Sequence, residues 1–476
     1  MPRACPADAS MASSILGLAL AVHALTFCGL AQAGTPPNAY AANSGVTPGH
    51  CAGTPHAGLV IDTSNVSQYE CYLASAVIFA VHHGFKIRVT EPQRIDWPRG
   101  YKEATEKYSP QVSLDSDDNI AHYVAGMPFP LVNVYDPKAA RKIAYNWHMG
   151  PVMPDDFTLS PWMSSGYSAS TRPAARPIDS EPDQAFLCDR FSFLRFEHRT
   201  QIEPRPTLEP NSERLEWKAR CDSWNNQQSV HGGATIWLRA LDPRTPDESY
   251  TFNNQTRRIG HQAASPPYLN HECRSCHQPY WAYALPKTEA YSYRLLGTTP
   301  ILGCITADDE PAGFAGRDRD NPTSTLLSES DTLALSEEPF EMRSAYIIEM
   351  IPTDDNYMNL RTLIWIDSET YIWLGAEFFE SNARSEVAEL QEVAAPLWRI
   401  RPAAEGGSLF DLAGSFYVPL AFQPALTAHS DLGGPTTNQR ARLFFRSVVP
   451  AHGPFDQKIN TGAIDDQVFN PRSLGH

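Results

Sequence analysis

Apolar positions along this chain fall mostly in short runs and alternating stretches, the spacing of strands, with helical spacing in only a few places. The densest stretch is Glu341–Arg384, which reads EMRSAYIIEM, a polar break, then LRTLIWIDSETYIWLGAEFFESNAR. β-branched and aromatic residues fill both halves, and these favour strands. Leu360–Asp367 and Thr370–Phe379 are parted only by the polar Asp367-Ser368-Glu369, which predicts a tight antiparallel turn. Consecutive hairpins of this kind predict an antiparallel meander. Further strands are expected at Leu59–Ile61, Phe186–Ile202, Thr235–Ala240, Ser249–Phe252, Tyr291–Leu296, Phe416–Phe422 and Leu443–Val449.

Two helices are marked. Ser67-Gln68-Tyr69-Glu70 has the capping-box pattern and Gly84 suits a left-handed C-terminal cap. Tyr72–Val81 between them is apolar on every face, so this helix is expected to be buried. Further on, Asp136 can cap a helix with Pro137 at its first position. Ala140, Ile143, Ala144 and Trp147 then form an apolar stripe, with Lys138, Arg141 and Lys142 off it. Pro92–Tyr108 shows little period, and Ser385–Val393 is expected to be a charged helical piece. Ser160–Pro182 is expected to be a surface loop and Ala307–Pro339 an acidic excursion. Many strands, few helices and no βαβ alternation predict an α+β protein with a curved antiparallel sheet.

The run RTLIWIDSETYIWLGAEFFESNAR resembles the C-terminal part of the DUF1329 family of proteobacterial periplasmic proteins. RVTEPQRIDWPRGYKEATEKY, AGMPFP, LDPRTPDESYTFNNQTRRIG and YSYRLLGTTPILG precede it in the family's order and spacing. The resemblance covers roughly Gly58 to the C-terminus and implies a LolA/LolB-like fold: an open half-barrel with helices covering its concave face and long loops. It further implies work with an inner-membrane exporter of the resistance-nodulation-division type and an outer-membrane protein. The domain reading is a signal peptide at 1–33, a flexible lead-in at 34–57, and one domain at 58–476 with loop insertions near 160–182 and 305–339.

The N-terminus fits export. Arg3, the apolar run Ile15–Phe27 and Ala31-Gln32-Ala33 before Gly34 follow the order of a secretory signal, which predicts a soluble periplasmic protein. Bulky Phe27 before Cys28 suits lipoprotein processing poorly. The formal net charge is −16, and residues 1–33 carry one charge of each sign, so export leaves it unchanged. That acidity, without a Lys/Arg cluster, argues against nucleic acid and anionic lipid surfaces as partners. Beyond residue 33 seven cysteines remain, and an oxidising compartment favours bridges, with Cys51–Cys71 and Cys188–Cys221 expected from proximity.

The familiar catalytic strings are missing: no G-x-S-x-G, H-E-x-x-H, phosphate loop or G-x-G-x-x-G occurs. Asp115–Asn119 resembles a calcium loop, but Ile120 stands where glycine is needed, which leaves an acidic turn. His271-Glu272-Cys273-Arg274-Ser275-Cys276-His277 contains C-x-x-C-H, in which Cys273 and Cys276 would bond a c-type haem and His277 ligate its iron. A disulfide between the two cysteines, or a metal or redox site, are the rival readings, so the cofactor is either none or covalent haem c.

Tyr346, Trp365, Tyr371, Trp373 and Phe378, with Phe379, fill the meander. They either pack an ordinary core or line a groove for a lipid, sterol-like or hydrocarbon guest. Ten buried methylenes would supply about 8 kcal/mol, roughly micromolar affinity before association costs. The leading expectation is therefore a carrier of a hydrophobic ligand, with a haem-bearing redox protein and an envelope scaffold as alternatives.

Overall fold

The apolar and alternating stretches become strands of one 17-stranded sheet. The computed structural model describes residues 51–82, 85–152, 154–160, 162–170, 184–223, 233–253, 256–263, 287–306, 337–353, 361–381, 388–402, 408–419, 440–448 and 456–474. All of them lie in one unit, Gly34–His476. The N-terminal part holds β1 (Val60–Ile61), α1 (Ser75–His82), β2 (Lys86–Thr90), α2 (Arg99–Tyr108), a separate hairpin of β3 (Ser113–Leu114) and β4 (Ile120–Ala121), and α3 (Ala139–His148). Then come β5 (Asp156–Ser160), β6 (Trp162–Ser170), β7 (Gln184–Arg195), β8 (Leu215–Ser223), β9 (Ala234–Ala240), β10 (Glu248–Asn253) and β11 (Arg258–Ala263). The last group is β12 (Tyr291–Thr306), β13 (Glu337–Pro352), β14 (Arg361–Asp367), β15 (Trp373–Ser381), β16 (Ala388–Pro402), β17 (Ser408–Pro419), β18 (Arg440–Val448) and β19 (Asp456–Ile459).

Strands β12 to β18 pair in sequence as the expected antiparallel meander. β18 then joins β6, and the sheet continues through β7, β8, β9 and β10 to β11. β2 pairs in parallel with the start of β13, and β1 adds to β2 in antiparallel fashion. The end of β12 also pairs in parallel with β16, Cys304–Thr306 against Leu397–Arg399, so the meander curls back on itself there. Among the described strands β1 and β11 each have one partner, which leaves the curved sheet open. This is the α+β, open half-barrel class expected of the chain.

Several local expectations are corrected. Ser67–Glu70 does not start a helix: Val66–Gln68 and Glu70–Tyr72 are single 3-10 turns, and extended Leu73 separates them from α1. Glu70 faces His82 in the last turn of α1, Oε1 to Nε2 3.5 Å, instead of capping its first. Gly84 lies outside the described residues. Arg99–Tyr108 is a helix that the weak period hid; it buries Tyr101 and Ala104, one turn apart. Part of the loop expected at 160–182 is strand β6, held on both edges by β7 and β18. The described part of the charged piece, from Ala388, is strand β16, whose edges are taken by β15, β17 and β12. Ladder pairing outweighs the helical charge pattern.

α3 forms with the expected stripe but starts two residues later than expected, at Ala139, with Lys138 at its cap and Asp136 and Pro137 in the preceding turn. Asp136 Oδ1 accepts the Lys138 N–H at 2.9 Å, and Ala140, Ile143, Ala144 and Trp147 are buried. The Cys51–Cys71 bridge is present. Cys221 is disulfide-bonded, and Cys188 lies on the adjacent strand opposite Ser223. The acidic turn closes on itself, with Asp115 Oδ1 accepting the N–H groups of Asp117 and Asn119.

Candidate apolar site on the meander

The register sorts the meander's side chains into rows, since residues two apart on a strand share a face. Ile347, Trp365 and Gly375 form one row across β13, β14 and β15, and Glu349, Leu363 and Glu377 form the next on the same face. Tyr346 and Ile366 belong to the opposite face, as do Met350, Thr362 and Phe378, and a bulge at Trp365/Ile366 brings Trp373 opposite Ile366 instead of in line with Gly375. The aromatic residues singled out from the sequence therefore divide. Trp365 stands on one side, while Tyr346, Trp373 and Phe378 stand on the other. Tyr371 stacks on Tyr346 with ring centroids 6.2 Å apart.

A helix lies against each face. α1 approaches the Trp365 face: a Cβ on Gly375 would sit 2.7 Å from Ala74 Cβ, and Ser75 Oγ donates to Glu377 Oε1 at 2.6 Å. α3 serves the other face through Asn146, which hydrogen-bonds the Tyr371 side chain, and through Arg141, whose guanidinium lies 5.4 Å from the Tyr293 ring centre. All five aromatic residues are buried, Tyr346 being the most exposed at 9%. They belong to one continuous core with α1 and α3. At its margin Tyr293, Leu295, Leu296, Met342 and Leu390 are only half-buried, so apolar sheet surface continues past the core.

The turn after β14 is longer than the expected tight one. Asp367 N–H donates to Ile372 O at 2.8 Å, and Tyr371 sits at φ +58°, a left-handed position unusual for an aromatic residue. Asp367 organises it, accepting Thr370 N–H and Oγ1 on Oδ2 and the Arg343 guanidinium on both oxygens, at 2.7 and 3.1 Å. Arg343 also reaches Glu341 at 3.3 Å and Glu369 at 2.9 Å. Burial pushes the Glu341 carboxyl up to about 7, with Asp367 and Glu369 adding to the effect. At the other end of this face Glu349 holds Arg361 at 2.6 Å and Arg294 at 2.8 Å. The Trp365 face is thus apolar in the middle with ion pairs at both ends.

Glu377 is the exception within that apolar middle. Its residue is 1% exposed, and burial pushes its carboxyl up to about 7. Oε1 takes the Ser75 hydroxyl, while Oε2 and the neighbouring Trp365 Nε1 have no hydrogen-bond partner among the described residues. Sequence reading passed over Glu377, although a lone carboxylate inside TYIWLGAEFF was the available signal.

A second buried polar cluster lies where α3 meets β7 to β9. Glu216 faces Arg195 at 3.6 Å and Arg239 at 3.7 Å, and Arg239 also holds Asp247 at 2.9 Å. Burial and the adjacent Arg239 guanidinium push His148 down to about 3, so it is neutral. These groups offset one another's charge and carry no visible reactive pair. Cys273, Cys276 and His277 lie outside the described residues. Among the described residues no group of three or more His, Cys, Asp or Glu is placed to hold a metal ion, and no helix is long and apolar enough to cross a membrane.

No family model matches this chain, and no curated protein does. Solved structures are similar to it at low identity. A DUF1329 family protein from Desulfovibrio piger has 10% identity and a TM-score of 0.39, over 70% of this chain and 97% of that one. A domain from Vibrio parahaemolyticus, described as an outer membrane lipoprotein-sorting protein, has 12% identity and a TM-score of 0.39, over 72% of this chain and all of the other. The LolA superfamily protein NE2245 from Nitrosomonas europaea has 10% identity and a TM-score of 0.34, over 70% and 97%.

Proposed function

We propose that this chain is a periplasmic carrier of a hydrophobic ligand, a lipid, sterol-like molecule or hydrocarbon, and that the meander is its seat. The observation that carries the reading is a mismatch of size. β12 and β13 are 16 residues each, about 53 Å long at 3.3 Å per residue. The helices on the sheet, α3 against β12 and α1 against β15 to β17, have 10 and 8 residues, about 15 and 12 Å. Helices this short cover the middle of the sheet and leave the apolar fringe of Tyr293, Leu295, Leu296, Met342 and Leu390 half-buried.

Tyr346, Trp365, Tyr371, Trp373 and Phe378 are the proposed guest-binding residues, Trp365 on the α1 face and Tyr346, Tyr371, Trp373 and Phe378 on the α3 side. Since their side chains already form core, a guest that reaches Trp365 takes the place of α1, and the two compete for one face. The export signal fits such a role, and exchange with an exporter of the resistance-nodulation-division type and an outer-membrane protein belongs to the same proposal. Organic extraction of protein purified from the periplasm, followed by mass spectrometry, tests it. A stoichiometric apolar compound is expected. Recovery of none, together with no uptake of a neutral fluorescent reporter such as N-phenyl-1-naphthylamine, removes the carrier reading.

A further inference from the structure

We propose that Trp365 and Glu377 form a seat for a single hydroxyl group on an otherwise apolar guest, so that the ligand is an alcohol and not a plain hydrocarbon. The inference rests on the carrier reading and narrows its ligand class.

Glu377 Oε2 and Trp365 Nε1 are both buried and without a hydrogen-bond partner among the described residues, in residues each 1% exposed. Unmet polar atoms at such depth are rare and costly, each worth about 1–3 kcal/mol. The two residues lie diagonally on neighbouring strands: Glu377 is opposite Leu363, Trp365 is opposite Gly375, and both point to the α1 face. Diagonal neighbours stand about 7–8 Å apart, a span that two long side chains can bridge through one small group.

The chemistry of the pair selects that group. An indole N–H only donates, and an ionised carboxylate oxygen only accepts. One hydroxyl answers both, accepting from Nε1 and donating to Oε2. A ketone would meet the pair only while Glu377 is protonated and would leave an ionised Oε2 unmet, an ammonium would leave Nε1 unmet, and a hydroxyl serves both states because its oxygen can also accept from a protonated Oε2. The fold already places one alcohol on this carboxylate, the Ser75 hydroxyl on Oε1 at 2.6 Å, and the second oxygen is equivalent. Ile347, Leu363 and Gly375 beside the pair are apolar, and Glu349 in the same row is already held by Arg361 and Arg294, which suits a guest that is apolar beyond its hydroxyl.

Displacement of N-phenyl-1-naphthylamine by 1-dodecanol and by dodecane tests the proposal. A wall without hydrogen-bonding groups favours dodecane, because a hydroxyl loses its water on burial. The wild type is expected to prefer dodecanol by about tenfold or more, the worth of one to two hydrogen bonds. Trp365→Phe keeps a ring and removes the donor, and Glu377→Leu removes the acceptor. Each is expected to bring the dodecanol-to-dodecane affinity ratio down to about one or below, and that ratio, not the affinity for either probe, is the readout. Should Glu377→Leu fail to fold, Trp365→Phe alone decides. Equal binding of the two probes by the wild type, the mark of a pair that holds only a water, overturns the seat but leaves the carrier reading standing, as does a preference that survives in the variants. Failure of the reporter and both probes to bind overturns the carrier reading and the seat with it.

Discussion

At the scale of single residues, the unusual groups are the carboxylates placed under the core. Burial raises Glu377 and Glu341 to about 7 in the folded chain, against about 4.3 for an unfolded glutamate. The folded state therefore holds more protons between those values. The stability each carboxyl contributes is fully present below about pH 4.3 and is lost as pH rises through about 7. Glu377→Gln is expected to raise the melting temperature at pH 8 and leave it nearly unchanged at pH 4, because the amide removes the cost of ionising a buried group. Melting curves at the two pH values check this, and an equal shift at both would show that the effect is packing. Arg343 is the reverse case, a buried charge surrounded by Asp367, Glu341 and Glu369. Arg343→Met leaves those carboxylates facing one another and is expected to cost about 3–5 kcal/mol in urea unfolding at pH 7. At pH 4, where protonation relieves the repulsion, the loss should be smaller.

At the scale of elements, α3 was legible because its apolar stripe is a local feature of sequence, though its start lies two residues past the Asp136 cap, and the meander strands were legible from their β-branched content. α1 was legible as a buried apolar run but not in its start, since Ser67–Glu70 satisfies a capping pattern that the extended Leu73 cuts off from the helix. β16 was misread because its charges suit a helix, and only the partner strands on its edges make it a strand. The contact of α1 with the sheet was not legible at all, because it turns on the approach of Ala74 to Gly375. Gly375→Val puts a side chain where Ala74 Cβ stands 2.7 Å away, and is expected to cost about 1–3 kcal/mol through overpacking. Ala74→Gly added to it should recover part of the loss. Urea midpoints for the two single variants and the double variant measure that coupling, and strictly additive losses would mean that α1 and β15 do not press on each other.

For the whole molecule, the sequence pattern pointed to a curved antiparallel sheet, while the half-barrel came from family resemblance alone. The return of β12 to β16 and the long reach from β18 back to β6 are pairings between distant segments, which no local pattern encodes. Nor could the pattern show that one strand order would divide the aromatic residues between two faces. The proposed competition between α1 and a guest has a consequence for the Cys51–Cys71 bridge. Its two ends are 20 residues apart, a loop whose closure is worth about 3 kcal/mol. It closes the segment leading into α1, where Ala52 N–H also donates to Gln68 O at 3.1 Å. Cys51→Ser with Cys71→Ser is therefore expected to lower unfolding stability by about 3 kcal/mol and, by loosening α1, to tighten binding of a neutral apolar reporter. The two effects have opposite sign. A variant that loses stability and reporter affinity together would show that α1 is part of the wall that holds the guest and not its rival for the sheet.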